Sequence, residues 1–233
     1  MKIEISVVIP AYNEERDITA TVQDVHQYCR ERFRSYEIIV VDDGSSDRTA
    51  SAASAVPDTT VVRYQPNRGK GHAVKTGVLT SRGELVLFMD ADNSTNIREL
   101  EHFIPELEGH DIVIGSRALA DSKITVHQNP IKRKLGRLGN VVIRMFLGLP
   151  FRDTQCGYKL FRRSAIDIFQ KQRLERWGFD FEVLFLAHKK GYRIYESAVT
   201  WTNNFDSKVT AASYLAVLIE LVKIRWWYLL GKY

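Results

Sequence analysis

Three observations predict an α/β protein with a three-layer, mostly parallel sheet. Short apolar runs alternate with stretches of helical periodicity through the first half of the 233-residue chain. The runs are rich in Val and Ile and nearly free of polar residues, as strands covered on both faces are. Polar residues then collect after one run after another: Tyr12 to Glu14, Asp42 and Asp43, Asp90 and Asp92, and Arg117. In a parallel sheet those ends share one edge, so residues distant in sequence converge there.

The elements follow in order. Residues 3–9 are a β-rich run that Pro10 should stop, because proline withholds a ladder donor. From Glu14 the period turns helical through Ile18, Val22, Val25 and Cys29, with Asn13 as its cap. Residues 36–41 form a second strand that runs into Asp42-Asp-Gly-Ser-Ser-Asp47 and a helix over 48–55. Residues 60–64 are a third strand, and Asn67-Arg-Gly-Lys-Gly71 opens a helix to Leu79. Leu85–Met89 is the fourth strand, ending in Asp90-Ala-Asp92, with a helix over 97–107 after it. Residues 111–114 are a fifth, stopped by Gly115-Ser-Arg117.

Asp90-Ala-Asp92 organises the rest. Side chains alternate along a strand, so the two carboxylates point the same way and repel unless a cation sits beside them. Oxygen-only ligands select Mg²⁺ or Mn²⁺, which commonly hold nucleotide phosphates. A polar strand-to-loop turn is the plainer alternative. Asp42 can accept a nucleobase N–H, or its motif is only a capping turn, and the two roles can coexist. The Arg68-Gly-Lys-Gly71 loop looks like a phosphate cradle without P-loop spacing, and equally like a solvated turn.

Composition sets wide bounds. A chain with 45% hydrophobic and 26% charged residues builds a sizeable core. The net charge of +5 permits nucleic acid, anionic lipid or phosphorylated partners and selects none. Cys29 and Cys156 alone make neither a disulfide framework nor a zinc site, which fits a reducing cytosol. The strand pattern starts almost at once, so no signal peptide is expected, and no charge-free window is long enough to cross a bilayer.

Val8-Ile-Pro-Ala-Tyr-Asn-Glu-Glu15, Val40-Val-Asp-Asp-Gly-Ser-Ser-Asp47, Asn67-Arg-Gly-Lys-Gly71 and Asp90-Ala-Asp92, in that order and spacing, resemble family-two glycosyltransferases of the GT-A fold. The resemblance implies a nucleotide-sugar donor and inversion at the anomeric carbon. It implies a nucleoside pocket at Pro10, Tyr12, Glu14 and Asp42, and a nucleotide site that takes in Ala11, Asp43, Lys70, Asp90 and Ala91. It implies a metal, Mg²⁺ or Mn²⁺, on Asp90 and Asp92.

In the second half, Pro130 opens a helical pattern with Leu135, Leu138, Val142 and Phe146 on one side and Lys132, Arg133, Lys134, Arg137 and Arg144 along it. It reads as a surface helix with a solvated basic face, or as one that lies on anionic lipid or grips an acceptor phosphate. Arg152-Asp-Thr-Gln-Cys-Gly-Tyr-Lys-Leu-Phe161, Glu175-Arg-Trp-Gly-Phe-Asp-Phe-Glu182 and Asn203-Asn-Phe-Asp-Ser-Lys208 are similar to dolichyl-phosphate β-glucosyltransferases and, less closely, to dolichyl-phosphate mannose synthases. The stretch 211–230 is apolar but broken by Glu220, Lys223 and Arg225, and ends in Trp226-Trp-Tyr. It suits a headgroup region, a core-packed helix or a dimer interface. The division expected is a GT-A catalytic domain over 1–210 and an amphipathic helix over 211–233.

The resemblance thus implies transfer of a hexose, glucose from UDP-glucose, to a dolichyl or polyprenyl phosphate. Arg117, Arg133 and Arg137 would bind the acceptor phosphate, Asp92 and Arg117 would serve turnover, and Asp153 or Asp180 would orient the acceptor or assist, with Glu182 a third candidate. GDP-mannose is the rival donor. A non-catalytic nucleotide- or nucleic-acid-binding protein is the rival class, disfavoured because the defined site is acidic and aromatics do not interleave with basic residues. The expected location is the cytosolic face of a membrane, as a peripheral protein.

Overall fold

The computed structural model describes residues 2–125, 130–202 and 211–233; of 130–135 and 211–215 only the backbone is described. The first half supplies β1 (Ile5–Ala11), α1 (Ile18–Arg32), β2 (Tyr36–Asp42), α2 (Thr49–Ser54), β3 (Thr59–Arg63), α3 (Lys70–Thr80), β4 (Leu85–Met89), α4 (Leu100–Glu106) and β5 (Ile112–Ser116). The second half adds β6 (Lys123–Ile124), α5 (Pro130–Leu147), β7 (Tyr158–Arg162), α6 (Ile168–Lys171), α7 (Phe179–Lys190), β8 (Ile194–Ala198), β9 (Thr200–Trp201) and α8 (Ala211–Leu229).

Seven strands make one sheet in the order β3-β2-β1-β4-β7-β5-β8. All neighbours are parallel except β7, which runs antiparallel between β4 and β5. Strands β6 and β9 pair separately. The period-2 alternation builds the three layers. Val7, Ile9, Leu87 and Met89 enter a core beneath α1 and α4, while Val8, Val86 and Phe88 enter a second core with α3, α5, α6, α7 and α8. Leu221 and Ile224 bury α8 in that second core.

Three local expectations change. Pro10 does not end β1, which continues to Ala11. Pairing with β4 stops at Val8 while pairing with β2 runs on, so the strand is one-sided where proline withholds its N–H. Asn13 does not cap α1, which starts at Ile18; Asn13 has φ 53° and accepts the Ser46 N–H in a turn. The helix expected over 97–107 opens as a 3-10 turn, because the Asn96 side chain accepts the Arg98 N–H and sets the first turn.

The chain passes from β1 outward to β2 and β3, then returns to β4 on the other side of β1. The carboxyl ends of β1 and β4 therefore splay at a topological switch point, where α/β sheets bind ligands.

Candidate active site

The two acidic motifs border that switch point. Asp42 closes β2, and its Oδ1 accepts the Ser45 N–H at 2.9 Å. Its Oδ2 lies 3.0 Å from Arg63 Nε without hydrogen-bond geometry, leaving a buried acceptor with no hydrogen-bond partner. Asp43 points the other way and is saturated. Its oxygens take Tyr64 OH at 2.9 Å, Asn67 Nδ2 at 2.7 Å, Arg68 N at 2.9 Å and Gly69 N at 2.8 Å. Burial and the Asp43 charge raise the Tyr64 phenol, so it stays a donor. Asp43 thus builds the 67–71 loop, and it is Asp42 whose Oδ2, beside Arg63, accepts no hydrogen bond. Tyr12 is partly exposed on the turn after β1, where Asn13 N and Glu14 N donate to Ser45 Oγ and Thr49 Oγ1.

The loop delivers Lys70. Gly69 has φ 112°, and a Cβ there would fall 2.6 Å from the Glu175 carbonyl, so only glycine lets the two loops touch. Lys70 then reaches across to Asp90, Nζ to Oδ1 2.5 Å. The Asp90 carboxylate rests on Gly157, where a Cβ would lie 2.0 Å from Oδ2. Asp92 accepts the Ser94 N–H at 3.0 Å. Burial and the neighbouring Asp90 charge push its carboxyl above the usual range, against the Ser94 bond and Lys70. The two aspartates are therefore a like-charge pair that Lys70 only partly balances, and their oxygens suit a hard divalent cation. Among the described residues, no three His, Cys, Asp or Glu side chains gather as a larger ligand set.

Asp180, in the first turn of α7, belongs to the same cluster. It is ion-paired to Lys159 of β7, whose ammonium also donates to the Cys156 carbonyl at 2.6 Å. Lys159 and Lys70 both stand near the Phe88 ring, 5.4 and 5.6 Å from its centroid. Burial pushes the Asp180 carboxyl up, Lys159 and Lys70 oppose this, and Asp90 adds to it.

Arg117 and Asp153, the latter a candidate to orient the acceptor or assist, are locked together. Arg117 Nε and Nη2 donate to Asp153 Oδ2 and Oδ1 at 2.7 and 3.0 Å, and the Arg117 N–H adds a third bond. Burial alone would raise the Asp153 carboxyl, but the guanidinium holds it below the ordinary range, so it is a poor base. Asp153 orients Arg117, whose guanidinium lies 5.6 Å from the Trp201 ring centroid.

Glu182 is not part of the cluster. Two residues apart on a helix are nearly opposite, so Glu182 turns away from Asp180. It accepts Arg173 N, Leu174 N and, at 2.6 Å, Tyr233 OH, tying the chain's last residue to α7.

The expected acceptor residues Arg133 and Arg137 lie on α5. Arg137 is exposed on α5, while the side chain of Arg133 and the motif 203–208 lie outside the described residues. Helices α5 and α8 pack together. Leu138, Met145, Phe146, Leu218, Val222 and Trp226 are exposed on them, Met145 at 81% and Trp226 at 60%. Trp227 turns inward, under the Arg173 guanidinium and beside Tyr233, and Tyr228 packs edge-on against Phe185. No helix of the described residues is long and apolar enough to cross a membrane.

Sequence reasoning missed Lys159, Gly157 and Arg63. The signal for Lys159 was present: in Tyr158-Lys-Leu-Phe-Arg162 a charge interrupts an apolar run, which on a buried strand requires a partner. Nothing local marked Gly157 or Arg63, whose partners are far away in sequence.

The mostly parallel sheet with a nucleotide-type edge and two carboxylates at the switch point is the GT-A glycosyltransferase fold. Residues 6–169 match glycosyl transferase family 2, and the chain belongs to that family. The chain is 37% identical over 248 residues to a dolichyl-phosphate beta-glucosyltransferase of Dictyostelium discoideum, covering 98% of this chain and 76% of that protein. The human dolichyl-phosphate beta-glucosyltransferase is 36% identical, over 99% of this chain and 77% of its own. Among solved structures, glucosyl-3-phosphoglycerate synthase from Mycobacterium tuberculosis in complex with UDP superposes with a TM-score of 0.70 at 20% identity, covering 95% of this chain and 80% of that one. Mannosyl-3-phosphoglycerate synthase from Rubrobacter xylanophilus gives 0.72 at 18%, covering 99% and 76%. This chain is a family 2 glycosyltransferase similar to the dolichyl-phosphate beta-glucosyltransferases.

Proposed function

We propose that the protein transfers glucose from UDP-glucose, with inversion, to a dolichyl or polyprenyl phosphate. The observation that carries the donor half is the buried Oδ2 of Asp42, which faces Arg63 but accepts no hydrogen bond, on the same sheet edge as the Asp90–Asp92 pair. The first suits a uracil N–H and the second a metal diphosphate. The M. tuberculosis synthase has been crystallised with Mn²⁺, UDP and phosphoglyceric acid, which supports a divalent cation for this fold. Asp90 and Asp92 would hold such a cation, whose bound charge would favour departure of the nucleoside diphosphate.

The acceptor is read from the relatives' names and from charge. A phosphate monoester has a second pKa of about 6 and is already an anionic nucleophile at neutral pH. Little base catalysis is then required. The chain's task is to hold two anions together, and Arg117, oriented by Asp153, presents a guanidinium for this. Asp180 holds Lys159 in place and so sets the field around Lys70 and Asp90, as a positioning residue.

A lipid acceptor requires the site to meet a bilayer. The exposed apolar faces of α5 and α8 supply that contact as a peripheral surface, with Arg137 on α5 and Lys223 and Arg225 on α8 adding charge attraction to anionic headgroups. Catalytic and membrane-contact parts would divide as 1–210 and 211–233, with α5 sharing the second role.

The test is a donor panel. UDP-glucose, GDP-mannose and other nucleotide sugars are each incubated with polyprenyl phosphate and Mn²⁺ or Mg²⁺. Glycolipid is expected with UDP-glucose foremost; preference for GDP-mannose would overturn the donor, and no glycolipid with any donor would overturn the acceptor.

A further inference from the structure

The Lys70–Asp90 contact has a consequence for how the site fills. Asp90 is pinned: its carboxylate lies on Gly157, and its N–H donates to the Gly157 carbonyl at 3.1 Å. Its Oδ1 is buried and has no hydrogen-bond partner; its neighbour is the Lys70 ammonium at 2.5 Å. Lys70 is itself largely buried, 22% exposed, and its stem passes Phe88.

We propose that Lys70 is a built-in counter-ion that stands where a divalent cation must approach Asp90, so that metal binds weakly alone and tightly only together with a nucleoside diphosphate. This rests on the donor reading given above. A cation that bonds Asp90 Oδ1 meets a second cation on the same oxygen. A diphosphate brings the missing negative charge and offers Lys70 a new partner beyond the aspartates. Lys70 then leaves Asp90 for the phosphates, and metal and nucleotide enter as a unit. The coupling is reciprocal: the nucleotide tightens the metal by the factor by which the metal tightens the nucleotide.

The consequence is a reversed effect of one substitution. Lys70→Met removes the charge and keeps the apolar stem against Phe88. It should tighten binding of Mn²⁺ alone by about tenfold, within the usual range of coupling between sites. It should shrink, by a similar factor, the gain in Mn²⁺ affinity that UDP produces. Lys70→Gln should act in the same direction, and Lys70→Arg, which keeps the charge, should resemble the unsubstituted protein. The measurement is free Mn²⁺ by electron paramagnetic resonance, titrated with and without UDP, on variants whose circular dichroism matches the parent.

If the parent binds Mn²⁺ with UDP and the neutral variants gain no affinity for Mn²⁺ alone, the counter-ion role is overturned while the donor reading stands. If the parent binds no Mn²⁺ with or without UDP, both fall.

Discussion

Asp42-Asp43 and Asp90-Ala-Asp92 look alike in the sequence and end neighbouring parts of one sheet, yet the fold uses them differently. Adjacent residues on a strand point to opposite sides. Asp43 turns into the 64–69 loop and takes four hydrogen bonds, while one oxygen of Asp42 faces Arg63 and accepts no hydrogen bond. Asp90 and Asp92 follow β4 two residues apart; Lys70 pairs with Asp90, and Asp92 bonds the Ser94 N–H. Spacing separates a pair whose second member builds a loop from a pair that concentrates charge.

The largest effect should come from the charge-concentrating pair. Asp92→Asn removes the carboxylate that lacks a lysine of its own, and turnover should fall on the order of a thousandfold with the fold intact. Retention of more than a tenth of the parent rate in a steady-state assay would remove Asp92 from the reaction.

The next effect falls on stability. Asp153→Asn leaves the half-buried Arg117 without its charge partner and should cost about 3 kcal/mol in denaturant unfolding. Because the Asp153 pKa is depressed in the fold, its stabilisation is complete above the ordinary carboxylate value of about 4 and is lost as pH falls through the folded value. The stability difference between parent and variant should thus hold steady from neutral pH to about pH 5 and shrink below about pH 4. A difference that grows on acidification would show that Asp153 is not paired as described.

The building pair can be split. Asp42→Asn should weaken UDP binding about tenfold, with turnover at saturating donor nearly unchanged, the mark of uniform binding loss. Asp43→Asn should instead lower stability by about 1–2 kcal/mol, because an amide N–H₂ opposes the donors it faces. Calorimetric UDP titration and thermal melting read the two outcomes. An Asp42 variant with unchanged UDP affinity would assign the base elsewhere.

The outer helices invite the same contrast at smaller scale. Trp226→Ala should reduce co-sedimentation with anionic liposomes a few-fold without changing melting, since the ring is exposed. Trp227→Ala should lower melting instead, because Arg173 and Tyr233 pack on it. Equal effects of the two on liposome binding would dissolve the distinction between outer and inner faces.

The parallel part of the fold was legible because its signals are local. The runs β1 to β5 are apolar and short, and the acidic turns after them mark the sheet edge. The antiparallel β7 was not legible: Lys159 breaks its apolar run, and its place between β4 and β5 is decided by partners about 70 and 45 residues away. The placing of the candidate residues followed the same division. Asp42, Asp90 and Asp92 could be placed from strand ends. The pairing of Arg117 with Asp153, of Asp180 with Lys159 and of Glu182 with Tyr233 could not, because a carboxylate's partner across the chain leaves no mark in the residues beside it.

The central claim is the reaction itself, and the product's anomeric linkage tests it most directly. The protein is incubated with UDP-glucose, whose glucose is α-linked, polyprenyl phosphate and Mn²⁺, and the glycolipid is examined by proton and phosphorus nuclear magnetic resonance. Inversion at the anomeric carbon predicts a β-glucosyl phosphate joined to the lipid. An α-linked product, or hydrolysis of UDP-glucose with no sugar on the lipid, would contradict the account.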